Sequence, residues 1–216
     1  VILKKTNELI ERMDGAPYDF VVNHQESDLK RFLDFKHRTF QATDTLWFLE
    51  FFQQFYRQHH SLEHAFARHL QPDDATIERA LTGFHRDFFD HPYAPARTRK
   101  HVATPERGST CKRLNMFLRW MVRRDDAGVD FGVWKAISPA QLLMPLDVHV
   151  ERVARRMGLL HRKQTAQRFF GRLVVHRVAQ RDLVHRVGID RVSATTQRKT
   201  DVVQIANLTG FQHEAA

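Results

Sequence analysis

A mostly α-helical protein is the fold class this sequence predicts, and three observations predict it. Apolar residues recur at helical spacing through most of residues 1–160. Strict apolar–polar alternation, the mark of a half-buried strand, is rare. Glycine is scarce, nine among 216 residues.

The elements follow in order. Residues 1–13 read as an amphipathic helix through Ile2, Leu3, Leu9, Ile10 and Met13, stopped by Asp14-Gly15-Ala16-Pro17. Val1 already lies inside that pattern, so the chain is expected to be a fragment. Ser27 or Asp28 should cap a short helix carrying Leu29, Phe32 and Leu33. Thr43 or Asp44 should open a stronger, Phe-rich helix over residues 46–56. Ser61 with His64 should start a short helix ending before Pro72. Asp73-Asp74 should open the next, with Ile77, Leu81, Phe84 and Phe88 on one face. The 17 phenylalanines concentrate between Phe32 and Phe89, which predicts a first helical subdomain, residues 1–96, with a core mostly of Phe.

Residues 91–101 then form a loop with two prolines and a basic cluster. Arg97, Arg99, Lys100 and His101 are candidates to hold phosphates, although a solvated surface loop fits them equally. Ser109 should cap a helix running to Arg123, with Leu114, Phe117, Leu118 and Met121 on its buried stripe. Lys112 falls in its first turn, where a cation opposes the helix dipole. A charged turn at 124–131 leads to a helical turn at 134–137, and Ser138-Pro139 opens another. Two short helices around a turn have the outline of a helix–hairpin–helix unit, without the usual glycine-rich hairpin. Asp147 comes next, before a segment with Val150, Val153, Ala154 and Met157 at helical spacing. An aspartate there can cap free N–H groups, which keep it ionised. A plain cap and a catalytic carboxylate are both open readings. Residues 97–165 make up this second segment. From Lys163 the composition shifts to Arg, Val, His and Gln. Residues 166–216 are expected to be a basic segment, helical over 169–187 and poorly ordered at the end.

The formal net charge of +9 suits a polyanionic partner, and the basic residues concentrate after Arg97. A single cysteine, Cys111, excludes an internal disulfide framework and a four-cysteine cluster. Cys111 beside the buried stripe reads as a packed thiol rather than a nucleophile. No run reaches the roughly 18 apolar residues of a membrane helix, and no signal peptide opens the chain. A cytoplasmic protein with no obligate protein partner is expected. Among 14 histidines, His60 and His64 have i, i+4 spacing, but a third ligand is not evident, so no metal is expected. Neither a phosphate-cradling glycine loop nor a Gly-x-Ser-x-Gly elbow occurs, and no cofactor is expected.

Pro145-Leu146-Asp147-Val148-His149-Val150 with Arg152, Val153 and Arg156 resembles the segment that follows the hairpin in helix–hairpin–helix DNA glycosylases. The stretch from Lys112 through Leu160 is similar to an uncharacterised bacterial family near that superfamily. The functional analogue is the archaeal-type 8-oxoguanine glycosylase, which also lacks the glycine-rich hairpin. The resemblance covers about residues 10–165, and the segment after Gln164 departs from it. It implies two helical subdomains with a groove near Lys112 and Asp147. Asp147 would be the catalytic aspartate that stabilises positive charge on the sugar. Lys112 would be the nucleophile that displaces the base and forms a Schiff base, with Lys135 as the competing lysine. Base chemistry needs a flipped base stacked in a pocket. Trp120, Phe131 and Trp134 are candidates for that stack, and each also fits a core position. His149, Arg152 and Lys135 would orient or hold the strand. The implied function is excision of a damaged purine from double-stranded DNA by a glycosylase, with or without lyase activity. A non-catalytic basic nucleic-acid-binding module and a truncated, inactive relative are the alternatives.

Overall fold

The computed structural model describes residues 2–145 and 148–158. Asp147, the segment 166–216 and the helix expected over 169–187 lie outside the described residues. The architecture is all-α: α1 (Ile2–Glu11), α2 (Pro17–Asn23), α3 (Ala42–Tyr56), α4 (Glu63–Ala67), α5 (Glu78–Phe88), α6 (Lys112–Val122) and α7 (Val148–Arg156). Short 3₁₀ turns at Glu26–Phe32, Ala96–Lys100, Pro105–Arg107 and Pro139–Gln141 join them. Extended pairing among the described residues is limited to the isolated bridges His37–Phe40 and Arg124–Phe131.

Several element starts differ from expectation for one reason: an aspartate can serve a helix from its third position as well as from its cap. Gln41 caps α3, and Asp44 reaches back to accept the Gln41 N–H at 2.8 Å. Gln25 and Asp28 repeat this capping box at Glu26–Phe32, which closes as a 3₁₀ turn. Pro17 does not only stop α1. It opens α2 at the first helical position, where its missing N–H costs nothing. The expected helical turn at 134–137 is irregular instead, with a bend at residues 136–137. The backbone N–H groups of Phe131 and Trp134 donate to Trp120 O at 2.7 Å and Met121 O at 2.9 Å, which ties this strip to the end of α6. The hairpin-like approach therefore contains a single 3₁₀ turn, Pro139–Gln141.

The core is built largely from phenylalanine, as the sequence predicts. Phe32, Phe35, Phe48, Phe52, Phe66, Phe84, Phe88 and Phe117 are fully buried. Phe66 stacks on Phe84 with ring centroids 4.2 Å apart, and Phe48 meets Phe88 edge-on at 4.7 Å. The cluster continues past residue 97 through Val102, Cys111, Leu114, Phe117, Trp134 and Ile137. Backbone stitches reinforce the junction. Ile77 N–H donates to Gln141 O at 3.0 Å, Gln141 Nε2 to Asp74 O at 2.9 Å, and Ala136 N–H to Glu63 Oε1 at 2.5 Å. His60 and His64 do not share a helix, because α3 ends at Tyr56 and α4 starts at Glu63. His64 lies against His59 instead, with centroids 4.2 Å apart. No helix among the described residues is long and apolar enough to cross a membrane. None of their His, Cys, Asp and Glu side chains group in threes or more to hold a metal.

Candidate active site at the start of α6

Lys112 is the first residue of α6, and the turn that delivers it is unusual. Cys111 adopts the left-handed conformation, φ 47° and ψ 36°, which costs a residue with a Cβ on the order of 1 kcal/mol. Hydrogen bonds on both sides hold it there. Its N–H donates to Ser109 Oγ at 3.1 Å, and its carbonyl accepts the Asn115 N–H at 2.9 Å. The Asn115 amide donates back to Thr110 O at 2.9 Å. Ser109 thus caps the turn before the helix rather than the helix itself. Lys112 is exposed, while Leu114, Asn115, Phe117 and Leu118 are buried. The first turn of α6 carries no acidic residue.

Three neighbours give this turn an uncommon electrostatic setting. Cys111 is buried, and burial pushes its thiol up to about 12, so it is a packed thiol and not a nucleophile. Burial raises the Glu78 carboxyl at the start of α5, and the Glu78 charge also acts on the Cys111 thiol. Burial likewise pulls the Arg113 guanidinium below its ordinary value. Asn115 Oδ1 is buried with no hydrogen-bond partner. Sequence reasoning missed Glu78, Arg113 and Asn115: Glu78 acts on Cys111 from 33 positions away, and spacing alone does not show that Arg113 loses solvent or that Asn115 Oδ1 is buried without a partner.

Beyond α6, the chain folds into a braced hairpin at 124–132. The Asp125 carboxylate accepts the N–H groups of Ala127 at 3.0 Å, Val129 at 3.1 Å and Asp130 at 3.3 Å. Asp130 is buried between Arg119, at 3.2 Å, and Arg123, at 3.5 Å. Burial raises its carboxyl despite both cations. Gly132 has φ 59°, and a Cβ there would lie 2.6 Å from Arg124 Cβ. Lys135, the competing lysine, donates to Gly132 O at 2.5 Å and braces the hairpin. Trp134 is only 3% exposed and packs against Phe66 and Phe117, so it is a core residue with no face left for a base. Trp120 and Phe131 are half-buried. The chain leads on through Pro145 to α7, which begins at Val148, the residue after Asp147. His149 and Arg152 are exposed on α7, with His149 Nδ1 3.1 Å from the Arg152 guanidinium.

The basic loop divides in two. Arg97 and His101 turn inward to Asp44, which is fully buried. Asp44 also accepts the Thr98 hydroxyl at 2.7 Å, and His101 Nε2 lies 3.4 Å from it. A buried carboxylate must be paired, and that need outweighs exposure of the two cations to a ligand. Arg97 and His101 are therefore clasp residues of the fold. Burial lowers the His101 imidazole. Arg99 and Lys100 stay exposed, with the Arg99 guanidinium 4.7 Å from the Phe89 ring centre.

No curated protein matches this chain, and no solved structure does. The family described as "Protein of unknown function (DUF2400)" matches residues 1–174. That span takes in the Phe-rich core, the left-handed turn before Lys112, the braced hairpin and α7. The chain belongs to this family.

Proposed function

We propose that the protein is a lysine-dependent DNA glycosylase that excises a damaged purine from duplex DNA in the cytoplasm. One observation carries the reading: Lys112 is presented to solvent at the first position of α6 by a strained, hydrogen-bonded left-handed turn. Backbone strain held in place by its surroundings concentrates at functional sites. In this reading the neutral Lys112 amine attacks C1′ of the sugar. The C1′–N bond to the base breaks, and the base leaves with its electron pair and takes up a proton. The nitrogen-bound sugar then opens to a Schiff base. Asp147 stabilises the positive charge that develops on the sugar as the base departs. In this reading the flipped base is received beside the start of α6. Trp120 and Phe131 stack against that base, while His149 and Arg152 hold the strand.

Borohydride trapping on duplex DNA carrying a damaged purine tests the chemistry. A covalent adduct is expected, lost in Lys112→Gln and kept in Lys135→Gln. Salt-sensitive DNA binding with no adduct on any damaged purine would replace this reading with a non-catalytic binding module. No DNA binding at modest salt would reject both.

A further inference from the structure

The loop between α5 and the Ala96–Lys100 turn displays Tyr93, which at 83% is the most exposed of the large hydrophobic side chains described. Its presentation is fixed. Pro92 precedes it and Pro95 follows. The Tyr93 N–H donates to His91 Nδ1 at 3.2 Å, and the Ala94 N–H to His91 O at 3.0 Å. The His91 ring bridges Trp47 and Tyr93, with centroids 5.7 and 5.5 Å away. The loop's ends meet where Arg99 lies over Phe89. A compact loop with joined ends, and an aromatic ring held out at its tip, suits binding.

Cations gather at the loop's base. Phe89 lies between the Arg99 guanidinium and the His85 ring, whose centroid is 5.0 Å from it. Arg99 and Arg107 both act on His85 and help to lower it, after burial. His85 Nε2 is buried with no partner. Of the nearby acids, Glu106 is taken by Arg86, and Asp90 sits at the loop's start. Lys100 and Arg107 are exposed. With Glu106 paired to Arg86, Arg99, Lys100 and Arg107 outnumber the one other acid, Asp90.

We propose that Tyr93, Arg99, Lys100 and Arg107 form a platform for an unpaired stretch of nucleic acid, with one base stacked on Tyr93 and phosphates on the three cations. A solvated ring face beside an excess of cations is the pairing that single strands use, and stacked bases of a duplex offer no such face. Glu78 at the start of α5 acts on Cys111, whereas Phe89 follows the end of α5. The helix's 11 residues separate the two by about 16 Å. The inference rests on the nucleic-acid partner proposed above and not on the chemistry of Lys112.

Fluorescence anisotropy with a labelled oligothymidylate, and with the same strand annealed to its complement, tests it on the full chain. Tyr93→Ala is expected to weaken single-strand binding at least about fivefold, and Tyr93→Phe to preserve it. Lys100→Gln with Arg107→Gln should lower the slope of log single-strand affinity against log salt by about 1.4. Unchanged melting of the variants confirms that the fold is intact. Single-strand affinity unaltered in Tyr93→Ala, or wild-type binding to the annealed form alone, overturns the platform. Lys112-dependent trapping that persists alongside either result shows that the glycosylase reading survives without it.

Discussion

Cys111 shows how one residue can be both strained and secure. Its backbone sits where glycine is at ease, while its side chain is sealed in the core and its neighbours bond it on both sides. With the thiol pushed up to about 12, thiolate is essentially absent at pH 8 in the folded protein. We expect iodoacetamide to leave native Cys111 unmodified and to label it promptly in urea, as read by intact mass. Rapid labelling of the native chain would show that the turn before Lys112 opens readily. The sequence made the packed thiol legible through its place beside the apolar stripe. The left-handed turn was not legible, because it depends on Ser109, Thr110 and Asn115 acting together. Asp44 and Asp130 were hidden for a related reason: a carboxylate's burial is decided by which distant arginines reach it, and spacing carries no trace of that. Trp134 was an open choice between base stack and core, and the nearness of Phe66, far away in sequence, decides for the core.

At the scale of elements, α4 and α5 pack so closely that one position has no room for a side chain. A Cβ at Gly83 would overlap the His69 ring, which lies across this face of α5 with Nε2 2.5 Å from Asp87 Oδ2. Arg68 pairs with the same carboxylate. Gly83→Ala should therefore force the ring aside and disturb this junction. Overpacking of this kind costs about 1–3 kcal/mol, more than the helix propensity gained from alanine. A lower urea midpoint with an unchanged m-value is expected, and a raised midpoint would show that the ring yields without cost. Helices such as α3 and α5 were legible because their apolar faces repeat regularly. The helical turn expected over residues 134–137 does not form, because Trp134 N–H bonds to the end of α6, and tertiary bonding overrode local pattern.

For the molecule as a whole, buried imidazoles set the response to acid. Burial lowers His37, His85 and His101, the last despite the pull of Asp44. A histidine lowered by folding binds fewer protons folded than unfolded. Its stabilising contribution is complete above the ordinary value near 6.5 and is lost as pH falls through the lowered one. Stability should therefore decline from pH 7 to pH 5, with His101→Gln showing a shallower decline. A urea midpoint flat across that range would contradict the burial of these rings. The all-α class and the Phe core were legible at this scale, since both follow from composition and periodicity. That the core passes unbroken across residue 97 was not, because continuity depends on how separate stretches meet.

The stitches from Ile77, Asp74 and Glu63 to residues 136–141 also have a meaning in time. Their partners lie 67 and 73 positions apart where side chains bridge them. Contacts between residues so distant in sequence form only after a long chain segment has closed on itself, and such closures slow folding. During synthesis, the rings of Phe66 and Phe117 have Trp134 as a cover only after that residue has left the ribosome. A nascent chain halted before residue 134 should thus expose an apolar surface and recruit chaperones, whereas one released beyond residue 141 can close it.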